Sequence, residues 1–268
     1  MEIRELQRHW DEFGKRDPLW AVLTSPAKKN NQWDVDEFFA HGEQEIDEVM
    51  RYLDTLGIDV ARRRALDFGC GVGRLTQALA RYFDRVDGVD IAPSMIELAE
   101  KYNRHGEACC YHLNETDDLR LFADNMFDFI YSCITLQHMR PVYARKYIAE
   151  FLRILAPSGV LIFQLPSHPL LFRSSGKPNF RGIVLRCVPR MLLDVTYRRI
   201  KYGKRPRMEG YWINQRAMVD HLHRNNGVII DIKQDRRAIM ADCRYCVTKK
   251  MKGDFPILGG RVAATGKT

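Results

Sequence analysis

The chain of 268 residues carries 42 Lys and Arg against 34 Asp and Glu, a formal charge of +8, with 46% hydrophobic residues. That length and mixture suit one large domain, or one domain with an insert, around a substantial core. They exclude a spanning helix, because no apolar run approaches the roughly 18–20 residues it needs, and the charged opening "MEIRELQRHWDEFGKRD" lacks a signal peptide's apolar core. The seven cysteines are odd in number and show no framework spacing. Cys109 and Cys110 are adjacent, which disfavours a disulfide between them, and Cys243-x-x-Cys246 lacks a second half. Reduced, packed thiols and a cytoplasmic setting are expected.

Residues 1–60 read as helical. In "VDEFFAHGEQEIDEVMRYLDTLG", Phe38, Phe39, Ile46, Val49, Met50, Leu53 and Leu56 recur near helical spacing and Gly57 supplies a stop. Gly42 interrupts this pattern, so the helix is expected to begin near it. From Arg64 the rhythm changes to short apolar runs alternating with helical ones. "RALDF" is a strand and "RLTQALARYF" a helix; "VDGVDI" is a strand and "APSMIELAEKYN" a helix. "ACCYHL" and "FDFIYSCI" are the next strands, "PVYARKYIAEFLRIL" a helix and "GVLIFQL" a fifth strand. Such alternation, with strands apolar on both sides, predicts a mostly parallel sheet covered by helices on both faces.

After Pro166 the alternation stops. Between Leu170 and Arg207 stand eleven Lys or Arg and one acid, Asp194, a local charge of +10 that leaves the remainder near −2. The excess of cations is therefore one basic segment, not a generally basic surface. It is read as an insert over the sheet's carboxyl edge, with an apolar stretch from Ile183 to Val195. "NQRAMVDHLHRNN" then resumes a helix with Asn214 as candidate N-cap. "GVIIDIKQD" and "CRYCVTKK" read as two final strands, and the tail from residue 251 as loose.

Three glycines alternate after the first strand: Gly69, Gly71 and Gly73. A dinucleotide-binding turn also puts glycines there, with an acid about 20 residues on for the ribose. Asp90 stands 17 residues after Gly73, which points to an adenosine ligand without naming it. Asp67, ahead of the glycines, separates the readings better. A carboxylate there repels a pyrophosphate and suits a ligand carrying an ammonium. S-adenosylmethionine has an α-ammonium, a carboxylate and a cationic sulfonium, and no phosphate.

With these residues in view, "LDFGCGVGRLT" resembles the first motif of class I S-adenosylmethionine-dependent methyltransferases of the small-molecule type. "VDGVDIAPSMIELA" resembles their second motif. "NETDDLRLFADNMFDFIYSCITLQHM" is similar to the run from the third strand through the fourth, and "YIAEFLRILAPSGVLIFQLP" to the helix and strand that close the core. The resemblance runs continuously over residues 64–165, and residues 211–249 are expected to supply the last helix and terminal hairpin. It implies a Rossmann-like doubly wound α/β fold: seven strands, mostly parallel, with the last antiparallel. It also divides the chain into an N-terminal helical lid (1–60), a donor-binding core (61–165), the basic insert (166–210), the closing helix and hairpin (211–250) and a tail (251–268).

By position, the resemblance has Asp67, Gly69, Cys70, Gly71 and Gly73 line the methionine and ribose region. Asp90 takes the ribose hydroxyls and Ile91 packs on the adenine. Glu115, counted back from Leu119 and preferred over Asp117, faces the adenine amino group, with Thr116 giving a backbone donor. Ser132, Cys133 and Ile134 sit near the reacting methyl. Plainer readings stand beside these: a tight turn for the glycines, a solvated helix-start acid for Asp90 and a loop acid for Glu115.

Methyl transfer from a sulfonium is an in-line displacement that calls for no metal, and no metal-ligand pattern appears in the sequence. A base matters when the acceptor is a hydroxyl. His138 in "LQHMRP" is the candidate, the plainer reading being a hydrogen-bonded helix-start histidine. His41 is a weaker candidate, on the expectation that Trp20, Phe39 and Gly42 close over the ligand. The expected acceptor is a small-molecule hydroxyl on a sugar, lipid-linked glycan or secondary metabolite. The basic insert suits an anionic or lipid-linked acceptor, and residues 183–207 suit peripheral membrane contact; solvated surface charge is the plainer reading. "SCIT" does not resemble the Asn-Pro-Pro-Tyr-type motif of enzymes acting on bases, which argues against nucleic acid. An RNA methyltransferase and a non-catalytic S-adenosylmethionine-binding partner or sensor are the alternatives.

Overall fold

The computed structural model describes residues 1–169, 206–237 and 240–249. Seven strands form one sheet: β1 (Arg64–Phe68), β2 (Arg85–Asp90), β3 (Cys109–Leu113), β4 (Phe127–Ser132), β5 (Leu155–Pro169), β6 (Gly227–Arg237) and β7 (Met240–Lys249). Their order across the sheet is β3-β2-β1-β4-β5-β7-β6. The pairs from β3 to β5 are parallel, and β7 runs antiparallel to both β5 and β6. The expected sheet, with its last strand reversed, is the one observed. The α-helices are α1 (Ile3–Arg16), α2 (Pro18–Val22), α3 (Val35–Thr55), α4 (Arg74–Leu79), α5 (Pro93–Tyr102), α6 (Pro141–Ile154) and α7 (Gln215–Arg224).

Pleating sorts each strand's residues between two faces. Leu66, Phe68, Ile130, Leu161 and Phe163 pack with Ile148 and Phe151 of α6 and with Met218 and Leu222 of α7. Ala65, Phe129, Tyr131, Val160 and Ile162 pack on the opposite face with Val49 and Leu53 of α3 and Leu75 and Leu79 of α4. Burying each large side chain contributes about 1.5–3 kcal/mol relative to exposure, so both helical layers are needed to cover these two-sided strands. Cys243 and Cys246 of β7 fall on opposite faces and are free thiols. At the amino edge of the sheet, Arg63 grips Asp128 and Arg64 grips buried Asp87, each through two hydrogen bonds. These pairs fix the end of the sheet remote from the glycine turn.

Some boundaries differ from expectation. α3 begins at Val35, capped by Asp34, whose carboxylate accepts the Glu37 N–H at 2.9 Å. Gly42 therefore lies inside the helix. A Cβ there would come 2.6 Å from the Arg74 carbonyl oxygen, so the glycine serves close packing rather than a helix start. α4 stops at Leu79, because the Tyr82 and Phe83 amides both turn back onto the Leu79 carbonyl, at 2.9 and 3.0 Å. β5 runs on to Pro169 along β7, with a register shift between Pro166 and His168, where proline has no N–H for the ladder. Among the described residues, no helix is long and apolar enough to cross a membrane. Nearly all of the basic segment, the apolar stretch 183–195 and the tail lie outside the described residues.

β1 pairs with β2 on one side and β4 on the other. The chain thus winds outward in both directions from β1, and a crevice opens beyond the carboxyl ends of β1, β2 and β4.

Candidate active site

The turn after β1 holds Gly69, Gly71 and Gly73 at φ of 78°, 52° and 84°, the left-handed region that glycine enters without a Cβ penalty. Its first amides tie back to β2: the Gly69 and Cys70 N–H groups donate to the Val89 carbonyl at 2.8 and 3.0 Å. Asp90, the last residue of β2, completes the join. Its carboxylate accepts the Gly71 N–H and the Ala92 N–H, each at 2.9 Å. Burial pushes the Asp90 carboxyl above its ordinary pKa, against the pull of these amides. An ionised carboxylate offers about four acceptor positions. Two are used here, which leaves capacity for a pair of ligand hydroxyls.

A cavity partly open to solvent occupies the crevice, the place where open α/β sheets bind their ligands. Of the residues expected there, Gly69, Cys70, Gly71, Asp90, Ile91, Cys133, Ile134 and His138 line it. Asp67, Gly73, Glu115, Thr116 and Ser132 do not, and each has another partner. Asp67 is 1% exposed and accepts the Thr76 hydroxyl at 2.7 Å. As a strand residue it points to the α3–α4 face, beneath the turn, and burial pushes its carboxyl up to about 7. Gly73 faces Tyr111: a Cβ there would meet the phenol oxygen at 2.5 Å. Ser132 is buried and donates to the Phe68 carbonyl at 3.2 Å.

Glu115 is exposed and accepts from Gln7 Nε2 at 2.7 Å. Its neighbour Asn114 is the buried residue that reaches the cavity. The Asn114 amide donates to the Asp118 carbonyl at 2.9 Å, and its oxygen accepts the Thr116 hydroxyl at 2.9 Å. Asn114 thereby shapes the loop after β3.

His138 lies in a 3-10 turn, Leu136–His138, just beyond β4. Its Nδ1 is 2.7 Å from the Glu209 carbonyl oxygen. A carbonyl only accepts, so Nδ1 carries the proton and Nε2 the lone pair, to which the Gln137 amide donates at 3.2 Å. Trp10 packs edge-on against the ring, centroids 5.2 Å apart. Burial lowers the imidazole's pKa below 6.5, the Glu209 carbonyl opposing in part. The ring is neutral at pH 7, and His138 lines the cavity. That is the state a general base requires.

Other lining residues were not singled out by sequence reasoning. Ile3, Leu6 and Trp10 of α1 face the cavity, as do Ala21 and Val22. The first three stand at i, i+3 and i+7, a stripe that marks one helical face. Trp20, Phe39, Gly42 and His41, expected to close over the ligand, do not line it. Trp20 donates to the Ser25 carbonyl at 2.9 Å, and His41 packs against Trp33 with centroids 5.6 Å apart. Ile134 holds φ of 58°, a strained conformation for a β-branched residue. Arg74, adjoining the turn, is a lining cation. No group of three or more His, Cys, Asp or Glu is placed to hold a metal among the described residues.

Comparison with known proteins adds an independent line. Residues 66–163 match the model of a family described as "Methyltransferase domain". A demethylmenaquinone methyltransferase of Tropheryma whipplei is 29% identical over 136 residues, 51% of this chain and 54% of that protein. A ubiquinone biosynthesis O-methyltransferase of Xanthomonas oryzae pv. oryzae is 29% identical over 155 residues, 58% of this chain and 54% of that one. The chain thus spans about half the length of the curated relatives it matches. In fold it is similar to the magnesium protoporphyrin IX methyltransferase of Synechocystis PCC 6803 solved with bound SAH. That likeness has a TM-score of 0.61 and 15% identity over 92% of this chain and 99% of the other.

Proposed function

We propose that the protein, whose residues 66–163 match a methyltransferase domain model, is a class I S-adenosylmethionine-dependent methyltransferase that moves a methyl group from S-adenosylmethionine to a hydroxyl of a small-molecule acceptor. The observation that carries this reading is the meeting of Asp90, Ile91 and His138 on one cavity at the carboxyl ends of the strands. The residues present fit the donor. Asp90 has acceptor capacity for the two ribose hydroxyls, and Ile91 offers an apolar face for the adenine. S-adenosylmethionine supplies a methyl group already activated on a cationic sulfonium, leaving S-adenosylhomocysteine.

The chain's own contribution is orientation and proton removal. Holding two reactants in line contributes up to roughly 7–11 kcal/mol in favourable cases. His138, neutral and with Nδ1–H fixed by the Glu209 carbonyl, takes the hydroxyl proton on Nε2 as the oxygen attacks. Leu6, Trp10, Val22 and Met139 line the same cavity and support an acceptor with an apolar body. The relatives named for menaquinone and ubiquinone biosynthesis agree with such an acceptor. An anionic group or lipid tail on it remains tied to the basic segment, which lies outside the described residues.

The test is a small-molecule library incubated with the protein and methyl-labelled S-adenosylmethionine. Label on hydroxyl-bearing, apolar compounds, matched by S-adenosylhomocysteine release, supports the reading. Label confined to amines overturns the hydroxyl acceptor, and label on RNA alone overturns the small-molecule acceptor.

A further inference from the structure

A histidine that acts as a base must hold its lone pair on the working ring nitrogen, and a neutral imidazole has two tautomers. In His138 the choice falls to the Glu209 carbonyl, a backbone oxygen 71 residues further along the chain. Glu209 belongs to residues 206–214, which form neither helix nor strand. A carbonyl on an irregular segment orients nothing unless the segment is itself held.

This segment is held along its length. The Arg207 guanidinium donates to Glu5 of α1 at 3.0 Å. The Tyr211 N–H donates to the Gln137 carbonyl at 2.7 Å, and the Ile213 N–H to the Pro166 carbonyl of β5 at 3.0 Å. Tyr211 and Ile213 are buried, whereas Gly210 is exposed. Two neighbours in the 3-10 turn, Gln137 and His138, thus pair with Tyr211 and Glu209, one bond running each way as between two strands. Tyr211 also closes the segment on itself. Its hydroxyl donates to the Glu209 carboxylate and accepts the Met1 amino group at 3.1 Å. A hydrogen bond to a carboxylate is stronger than one between neutral groups. This one spans the bend at Gly210 and ties the residue that offers the carbonyl to the residue anchored on Gln137.

We propose that Tyr211 is a positioning residue for His138. With its hydroxyl on Glu209 and its amide on Gln137, it sets the Glu209 carbonyl against Nδ1–H and so keeps the lone pair on Nε2. Tyr211 is outside the cavity lining and outside residues 66–163, which match the methyltransferase family; it acts through His138 and touches neither donor nor acceptor. The inference rests on the general-base reading above.

Tyr211→Phe keeps the ring and the backbone amide and removes only the hydroxyl. Nitrogen NMR of the full chain, ¹⁵N-labelled in its eight histidines, reads the tautomer directly, the His138 signals being those lost in His138→Ala. At pH 7.5 the wild type should show Nδ1 protonated and Nε2 bare, and Tyr211→Phe a mixture of both tautomers. In turnover, kcat should fall about fivefold or more in Tyr211→Phe, with S-adenosylhomocysteine affinity within about twofold of wild type. In a His138→Ala background the same substitution should change kcat by less than about twofold, because the two residues act as one unit. An unchanged tautomer in Tyr211→Phe overturns the proposal, as do equal losses in the two backgrounds. Weakened S-adenosylhomocysteine binding also overturns it, since Tyr211 would then act through α1 and the donor cavity. Should Tyr211→Phe not fold, Glu209→Gln keeps the carbonyl and replaces the carboxylate by a neutral amide, and the same readings decide. Full turnover in His138→Ala alone overturns the base reading, and the tautomer measurement then decides the positioning by itself.

Discussion

Replacing His138 by alanine tests the chemical half of the proposed reaction. A well-placed general base contributes about 10²–10⁴ in rate. The structure lowers that expectation, because the Gln137 amide occupies the Nε2 lone pair at 3.2 Å. Giving up that hydrogen bond costs about 1 kcal/mol, close to a factor of 5–10. His138→Ala should therefore lower kcat/KM by about 10-fold to 10³-fold, with S-adenosylhomocysteine affinity within about twofold of wild type. The assay is S-adenosylhomocysteine release with an acceptor from the library, followed across pH. Burial lowers the imidazole's pKa from 6.5 and the neutral ring is the active form, so wild-type kcat/KM should fall only as pH drops below 6.5. In the variant that acidic limb should vanish. The substitution also removes the N–H on the Glu209 carbonyl, so the melting temperature serves as a control for packing. Unchanged turnover, or an acidic limb that persists in the variant, would remove His138 from the mechanism.

Three further substitutions probe the frame of the site. Asp67 has a folded pKa of about 7 against an ordinary 3.8; between these values the folded state holds a proton that the unfolded state has released, so stability falls as pH rises through that window. Asp67→Asn should flatten this slope and raise the melting temperature at pH 7.5; an unchanged slope contradicts the buried-acid account. Gly42→Ala gains about 1 kcal/mol of helix propensity but puts a Cβ 2.6 Å from the Arg74 carbonyl oxygen. Overpacking of about 1–3 kcal/mol should win, and a stabilised variant in urea unfolding would show the contact is soft. Ile134 holds φ of 58°, a strain of about 1–2 kcal/mol. Ile134→Gly should release it, offsetting the lost side chain, and change stability by less than about 1 kcal/mol while slowing turnover. A loss of several kcal/mol would deny the strain.

The core was legible in the sequence where local pattern and tertiary role coincide. β1 and β4 are apolar on both sides, β1 runs into Gly69 and β2 ends at Asp90, so strand, crevice and the Asp90 position follow together. Legibility failed where a residue's direction depends on its surroundings. Asp67 is adjacent to the turn, yet the pleat of β1 sends it with Ala65 to the α3–α4 face, away from the cavity. Glu115 and Asn114 differ by one step in a loop, and that step decides which is exposed and which is buried. Gly42 looks like a helix breaker in one dimension and is a packing contact in three. The stripe Ile3, Leu6, Trp10 was readable as a helix face, but nothing in its spacing told that the face closes a ligand cavity. Arg74 carried no signal beyond its place after the glycines; its isolation as the lining cation exists only in the folded chain.

The central claim is that the glycine turn seats a cationic methyl donor and not a dinucleotide. Titration calorimetry of the intact chain with S-adenosylmethionine and, separately, with NAD tests it most directly. The account predicts saturable one-site binding of S-adenosylmethionine, lost on Asp90→Ala, and no binding of NAD. Saturable NAD binding with no response to S-adenosylmethionine would contradict it.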